Sequence, residues 1–269
     1  MQFSVLMSLY YREKPEYLRK CLNSLAMQTK AADQIVLVYD GEVGAALEAV
    51  VAKFSDLPLE IVRLPENIGL GRALNVGLDA CRHEWVFRMD TDDMCIPERF
   101  EKQCAFIETN PEIDLFGGQI SEFSHRAEQP DGVRRVPLQH HEICKFAKKR
   151  NPFNHMTVAY KKSCVMKAGG YQHHLYMEDY NLWLRMLAQG AQTANLPDAL
   201  VQVRSGEQMV ARRGGLAYFR SEWQLFRLKR YLVVHNSLPA FCIFLLRSIS
   251  RLLPTQLLCI IYQKFLRKK

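Results

Sequence analysis

Three times within its first 90 residues the chain alternates between a short apolar run and a helical pattern, and this alternation limits the fold more than any other feature. Phe3–Leu9 (FSVLMSL) is followed by Pro15, suited to a first helical turn. An apolar stripe of Tyr17, Leu18, Cys21, Leu22 and Leu25 then continues at helical spacing to about Met27. Gln34–Tyr39 (QIVLVY) reads as a second strand with a helix over 43–54, residues 59–64 as a third strand with a helix over 71–81, and residues 84–89 as a fourth strand. Successive βα units with short connections predict an α/β fold with a doubly wound, mostly parallel sheet, whose ligands bind beyond the carboxyl ends of the strands. Polar residues collect at those ends: Ser8-Leu9-Tyr10, Asp40-Gly41 and Asp90-Thr91-Asp92-Asp93. One Asp at a strand end is commonly a turn former or helix cap. Three polar ends at one sheet edge mark a site.

Beyond Pro97 a helix is expected to about Glu108, strand material over 113–124 and a loop over 125–137. A strand over 156–160, a helix over 161–168, a Gly169-Gly170 turn and a helix over 179–189 follow, then short strands at 191–196 and 200–203. The eight Cys include no CxxC pair and have mostly apolar neighbours, as at Cys242 and Cys259. They read as reduced core thiols of a cytosolic protein, not as a disulfide framework or zinc site. His140-His141 and His173-His174 lack zinc spacing and read as surface histidines. Phe3–Leu9 has neither a preceding basic stretch nor a small-residue cleavage site, so it is expected to be a strand and not a signal peptide. No uncharged apolar run is long enough for a simple transmembrane helix.

Charge is unevenly spread. The net +8 of the 269 residues divides into +11 for residues 201–269, where thirteen Lys/Arg face only Glu207 and Glu222, and −3 for the first 200. Residues 219–269 alternate apolar and basic side chains, which suits helices lying in an anionic membrane interface or an extension packed on the main domain. Membrane association is the expectation, and no nucleic-acid partner is expected.

Three carboxylates within four residues at 90–93 repel one another unless a cation or donors gather there, and hard oxygen ligands suit Mg²⁺ or Mn²⁺. Glu178-Asp179 precedes the apolar helix Tyr180-Asn181-Leu182-Trp183, where acids complement the helix dipole or serve as a general base. Asn67-Ile68-Gly69-Leu70-Gly71-Arg72 lacks the third glycine of a dinucleotide fingerprint and follows the third strand, which argues against NAD. No P-loop sequence is present.

In order along residues 3–205, Ser4-Val5-Leu6-Met7-Ser8, Leu25-Ala26-Met27-Gln28-Thr29, Ile35-Val36-Leu37-Val38-Tyr39-Asp40-Gly41, the 67–77 stretch, Arg88-Met89-Asp90-Thr91-Asp92-Asp93 and Glu178-Asp179-Tyr180-Asn181-Leu182-Trp183-Leu184-Arg185 carry a resemblance. The chain resembles family 2 glycosyltransferases of the GT-A fold, in particular bacterial enzymes that build exopolysaccharide and O-antigen repeats, the amylovoran-biosynthesis transferases among them. The resemblance implies a catalytic domain over 1–205, with a nucleotide-sugar half of about 1–95 and an acceptor half of 96–205, followed by a basic helical extension over 206–269. It implies an inverting transfer from a nucleotide sugar, with UDP the expected nucleotide, to a lipid-linked oligosaccharide at the cytoplasmic face of the inner membrane. By the same resemblance Ser8, Tyr10, Asp40 and Asn67 line the nucleoside pocket, Asp90 contacts ribose or sugar, and Asp92 holds Mn²⁺ or Mg²⁺. Asp93 supports the turn, Asp179 is the base, and Glu178, His155 and Tyr171 lie on the acceptor side.

Two departures stand out. Leu74 occupies a position where many members have Arg, so Arg72 is expected to face the anion instead. Arg204 stands where some members place a metal-ligating His, and it is expected to hold the diphosphate, with help from Arg212 and Arg213. A metal-dependent nucleotidyltransferase is the competing enzyme class, but Tyr10-Tyr11-Arg12-Glu13-Lys14 contains no glycine for a triphosphate loop. A nonenzymatic membrane- or nucleic-acid-binding module would account for the basic tail and leave the acidic strand ends unexplained.

Overall fold

The computed structural model describes residues 1–124, 126–205, 215–232 and 237–252. Strands β1 (Phe3–Leu9), β2 (Gln34–Tyr39), β3 (Leu59–Arg63) and β4 (Trp85–Arg88) are parallel and lie in the order β3-β2-β1-β4. Helices α1 (Pro15–Ala26), α2 (Ala45–Val51) and α3 (Leu70–Ala80) connect them. Alternate residues of each strand feed opposite cores. Phe3, Val5, Met7, Ile35 and Leu37 pack on the face of α1 and α2, whereas Leu6, Val36 and Val38 pack under α3. Burial on both faces is why these strands read as unbroken apolar runs. Gly77 lets α3 lie flush on the sheet, because a Cβ there would come within 2.5 Å of Leu6 Cδ1 and 2.6 Å of Val38 Cγ2.

The second half adds β5 (Met94–Cys95), α4 (Arg99–Thr109), β6 (Leu115–Phe123), β7 (Gly132–Arg134), α5 (His140–Ala147), β8 (Ala159–Lys161), α6 (Lys162–Lys167), α7 (Glu178–Ala188) and β9 (Thr193–Arg204). β8 joins the halves by pairing antiparallel with both β4 and the start of β6. Where β8 leaves β6, β7 takes over the same strand at Ile120–Glu122, and β9 runs parallel along β6 to Arg204. This part of the sheet extends past the end of β4 and walls the space beyond it.

Several expectations change here. The 125–137 loop contains β7, whose pairing comes from β6 and not from its own apolar content. The separate strands at 191–196 and 200–203 are one strand, β9, whose register with β6 slips between Asn195 and Ala199 to absorb Pro197-Asp198. The strand at 156–160 is a 3₁₀ turn, His155–Thr157, followed by β8. His174 is buried and not a surface residue, with Nε2 at 2.8 Å from the Ser221 carbonyl and Nδ1 at 3.1 Å from Asn181. Cys21, Cys81, Cys95 and Cys104 are buried thiols, but Cys242 is exposed.

Helices α8 (Gly215–Tyr231) and α9 (Ser237–Leu252) complete the described chain. Tyr218 and Leu225 of α8 pack into a third core with Ala147, Met177, Tyr180 and Leu184. Phe219, Trp223 and Phe226 meet Phe241 and Phe244 between the two helices. The buried Glu222 binds Arg247, whose Nη1 also donates to the Lys149 carbonyl at 2.8 Å. Among the described residues no helix is long and apolar enough to cross a membrane. Arg212, Arg213, Cys259 and the terminal basic residues lie outside the described residues.

Candidate active site

A cleft of about 1890 Å³ opens beyond the ends of β1, β2 and β4. Its walls bring together Ser8, Tyr10, Asp40, Asn67, Asp90, Asp92, His155, Asp179 and Arg204, which are spread over almost 200 positions of the chain. Drug-sized pockets occupy about 300–1,000 Å³, so this space suits two substrates.

Asp40, at the end of β2, is buried and turned toward the backbone. Its Oδ1 accepts the Ile68 N–H at 2.7 Å and its Oδ2 the Gly69 N–H at 3.1 Å. It therefore clasps the loop leading into α3, and Asn67 Nδ2 returns a bond to the Asp40 carbonyl at 3.2 Å. Gly41 is needed beside it. With φ at 84°, a Cβ there would lie 2.7 Å from the Asn67 nitrogen.

The acidic turn after β4 rests on a buried cation. Arg88 is fully buried and donates through Nη2 to Asp90 Oδ1. Arg99 Nη2 in turn donates to the Arg88 carbonyl at 2.7 Å. Asp93, also buried, accepts the Arg204 N–H at 3.0 Å and ties the turn to the end of β9. Glu13 enters from the loop after β1 and accepts the Thr91 hydroxyl at 2.7 Å. Burial, then the nearby Asp90 and Glu13, push the Asp92 carboxyl up to about 7. Burial and the Asp92 and Asp90 charges drive Asp93 upward as well. Among the described residues no three His, Cys, Asp or Glu side chains form a ready ligand group. The donor set nevertheless fits a hard divalent ion held by one or two carboxylates and completed by water and phosphate oxygens. Such an ion would offset the burial and the neighbouring charges that raise Asp92. Nearby, the Arg204 guanidinium stacks on the rings of Tyr17 at 3.8 Å and Phe123 at 4.8 Å, which fixes its plane.

The other pole of the cleft is the start of α7. Asp179 Oδ2 accepts Asn151 Nδ2–H at 2.6 Å, and its Oδ1 accepts the Tyr180 N–H at 2.7 Å. His155 pairs through Nε2 with the Tyr171 hydroxyl at 3.1 Å. Burial and the Arg88 charge lower the His155 pKa to about 4 against the pull of Asp179 and Asp90, so the ring is neutral at pH 7. Tyr176 lines the same end with φ at 66°, a conformation rare outside glycine. Its ring stacks on Tyr218 at 5.7 Å.

Three expected site residues stand elsewhere. Tyr171 is buried behind His155 and bonded to Asn75 through its N–H at 2.8 Å, so it supports the site from the core side. Glu178 packs against Gly71 and is not among the cleft-lining residues. Burial and Asp179 raise its pKa to about 7. Arg72 is exposed and does not line the cleft, while Leu74 lies in the core. Residues two apart on a helix point about 200° apart, so Arg72 does not stand in for a cation at position 74. Arg88, Glu13, Asn151 and Tyr176 escaped the sequence reading of the site. A lone Arg inside the apolar run Trp85-Val86-Phe87-Arg88-Met89 was the signal for the first.

The sequence profile described as glycosyl transferase family 2 matches residues 4–174. The chain belongs to this family. An uncharacterized glycosyltransferase of Haemophilus influenzae is 55% identical over 269 residues, covering all of both chains. The amylovoran biosynthesis glycosyltransferase AmsE of Erwinia amylovora is 51% identical, over 97% of this chain and 98% of its own. A UDP-Gal:alpha-D-GlcNAc-diphosphoundecaprenol beta-1,3-galactosyltransferase of Escherichia coli is 35% identical, over 99% and 97%. Among solved structures, S. aureus TarS 1-349 in complex with UDP-GlcNAc superposes with a TM-score of 0.66 at 20% identity, over 94% of this chain and 74% of that one. The mannosyltransferase PcManGT of Pyrobaculum calidifontis, in complex with GDP-Man and Mn2+, gives 0.64 at 17%, over 99% and 81%. This glycosyltransferase thus has the GT-A fold expected from its sequence.

Proposed function

We propose that this family 2 glycosyltransferase moves a sugar from a UDP-sugar to a hydroxyl of a lipid-linked glycan intermediate, with inversion, in the synthesis of a bacterial surface polysaccharide. The observation that carries the reading is that the Asp90–Asp93 turn and Asp179 face one cleft, from the end of β4 and the start of α7. A direct displacement needs two things at once: neutralisation of the charge growing on the leaving diphosphate, and a base for the attacking hydroxyl. UDP as the donor nucleotide is supported by the UDP-GlcNAc complex of TarS, and the lipid-diphosphate acceptor by the name of the Escherichia coli relative. AmsE supports the polysaccharide context.

In this reading Ser8, Tyr10 and Asn67 receive the nucleoside, while Asp40 holds their loop in shape. Asp90, oriented by Arg88, meets ribose or sugar hydroxyls. Asp92 would hold Mn²⁺ or Mg²⁺, which when bound supplies positive charge to the diphosphate. Arg204, its plane set by Tyr17 and Phe123, presents two donors to the same diphosphate. Asp179 takes the acceptor proton, and neutral His155 exchanges a hydrogen bond with a sugar hydroxyl. Exposed Leu216, Trp223, Phe241 and Leu246 on α8 and α9, with the basic tail, hold the enzyme on the cytoplasmic face of the inner membrane.

Thermal melting with UDP, GDP and CMP, each with and without Mn²⁺, tests the donor assignment. A nucleotide at 100 times its Kd raises stability by about 2.7 kcal/mol. A Mn²⁺-dependent rise with UDP is expected. A rise with GDP or CMP alone would overturn the UDP assignment, and none at all would overturn the transferase reading.

A further inference from the structure

The cleft does not end at Asp179. Its lining also carries basic groups, Arg134 and Arg135 at the β7 hairpin, Arg150 after α5 and Arg247 of α9. Two of these guanidinium groups are already engaged: Arg247 binds Glu222, and Arg134 has a partner of its own. Arg135 and Arg150 are exposed to the cleft, and neither side chain forms an ion pair or hydrogen bond among the described residues. Asp131, an exposed acid of the β7 hairpin, makes no ion pair with either.

We infer that Arg135 and Arg150 form a second diphosphate site, separate from the donor's, which holds the diphosphate ester of the acceptor. The inference rests on the transferase reading above. Arg150 directly precedes Asn151, whose amide bonds the base candidate Asp179. Arg150 lines the same cleft as Asn151 and Asp179, so an anion held there would share the cleft with the acceptor hydroxyl, as in a molecule whose reacting sugar itself carries the phosphate. The segment is also tied to the tail. Lys229 Nζ donates to the Lys148 carbonyl at 3.0 Å and Arg247 to that of Lys149 at 2.8 Å. Arg150 thus stands where the cleft meets α8 and α9, whose outer surface exposes Trp223, Phe241 and Leu246. Sugar in the cleft, diphosphate at the rim and hydrocarbon on the helices follow in the order in which such an acceptor is built. Guanidinium groups suit this role because each offers a planar pair of donors to phosphate oxygens.

The test uses farnesyl diphosphate, which has the diphosphate and the isoprenoid but no sugar. Its binding is measured with the donor site saturated by UDP and Mn²⁺, in wild type, R135A, R150A and the double variant. Wild type should bind with UDP present, each single variant should bind about tenfold more weakly, and the double variant more weakly still. Farnesol should not bind in this way. Equal affinity in all four proteins would overturn the inference, as would displacement of farnesyl diphosphate by UDP, which would place it in the donor site. Both arginines are exposed, so the melting temperatures of the variants and their response to UDP should match wild type. If the UDP response is intact and only the arginine dependence fails, this inference falls and the transferase reading stands. If UDP produces no response in any protein, the transferase reading falls first.

Discussion

The two acidic poles of the cleft balance their charge by different means. At the end of β4, Glu13, Asp90, Asp92 and Asp93 crowd together. Arg88 serves Asp90 and a backbone amide serves Asp93, while Asp92 is left with a pKa pushed to about 7. At the start of α7, Asp179 is satisfied by two directed hydrogen bonds, from Asn151 and the Tyr180 amide. The first pole is short of positive charge, which is where the proposed ion would bind. The second is satisfied within the chain, which orients the proposed base before any substrate arrives.

Breaking the second pole should have the largest effect. D179N should lower kcat by about 10²–10⁴-fold, the usual range for a general base, while the UDP-induced rise in melting temperature persists. Activity within a few fold of wild type would remove Asp179 from the reaction. Next in size, D92N should abolish the Mn²⁺-dependent part of the UDP stabilisation, about 2.7 kcal/mol at a saturating 100 times Kd. A D92N protein that still responds equally to Mn²⁺ would mean that the first pole needs no ion at that residue.

N151A sharpens the contrast, because it removes one donor from Asp179 and leaves the carboxylate in place. A hydrogen bond to a charged group contributes about 1.5–3 kcal/mol, so kcat should fall by roughly 10- to 150-fold, with the donor KM unchanged. N151D should not restore it, whereas a donor KM that rises with the fall in kcat would point to a general loss of shape. The smallest effect concerns Glu178. Its pKa is about 7 in the fold against 4.5 when free, so between those values the folded chain keeps a proton that the unfolded chain releases. Its contribution is fully present below pH 4.5 and is lost as pH rises through 7. E178Q should therefore match wild type near pH 4.5 and gain about 1 kcal/mol by pH 7.5. A carboxyl shut off from water would give about 1.4 kcal/mol for each pH unit between the two values, but Glu178 is only partly buried and water screens it. Melting curves that stay parallel across that window would contradict this.

The parallel half was highly legible. The observed bounds of β1 and β2 coincide with the apolar runs, because strands buried on both faces need no alternation and are closed by turn residues. β7 was not legible. Gly132-Val133-Arg134 has little strand character of its own and is paired because β6 offers a free edge there. The two fragments read for β9 are one strand because β6 tolerates a bulge opposite Pro197-Asp198. In the site, Asp92 and Asp179 stood out through local spacing: carboxylates packed after a strand and acids at a helix start. The resemblance placed Tyr171 and Arg72 on the cleft, yet it says little about which way a side chain turns once α3, α6 and α7 pack together. Asn151 had no local signal at all, since its partner lies 28 residues away.

By itself the sequence determined the parallel βα half, the acidic strand ends, the family and the imbalance between an acidic domain and a basic tail. The family follows from the ordered set of motifs that resemble it, and the rest from periodicity and composition, which neighbouring residues carry. Only the tertiary structure decided that Arg88 lies beneath Asp90, that Asn151 holds Asp179, that His155 is neutral and that α8 and α9 bond to the carbonyls of Lys148 and Lys149. Desolvation and through-space charge act over a few ångströms between segments far apart in sequence, and packing sets those distances.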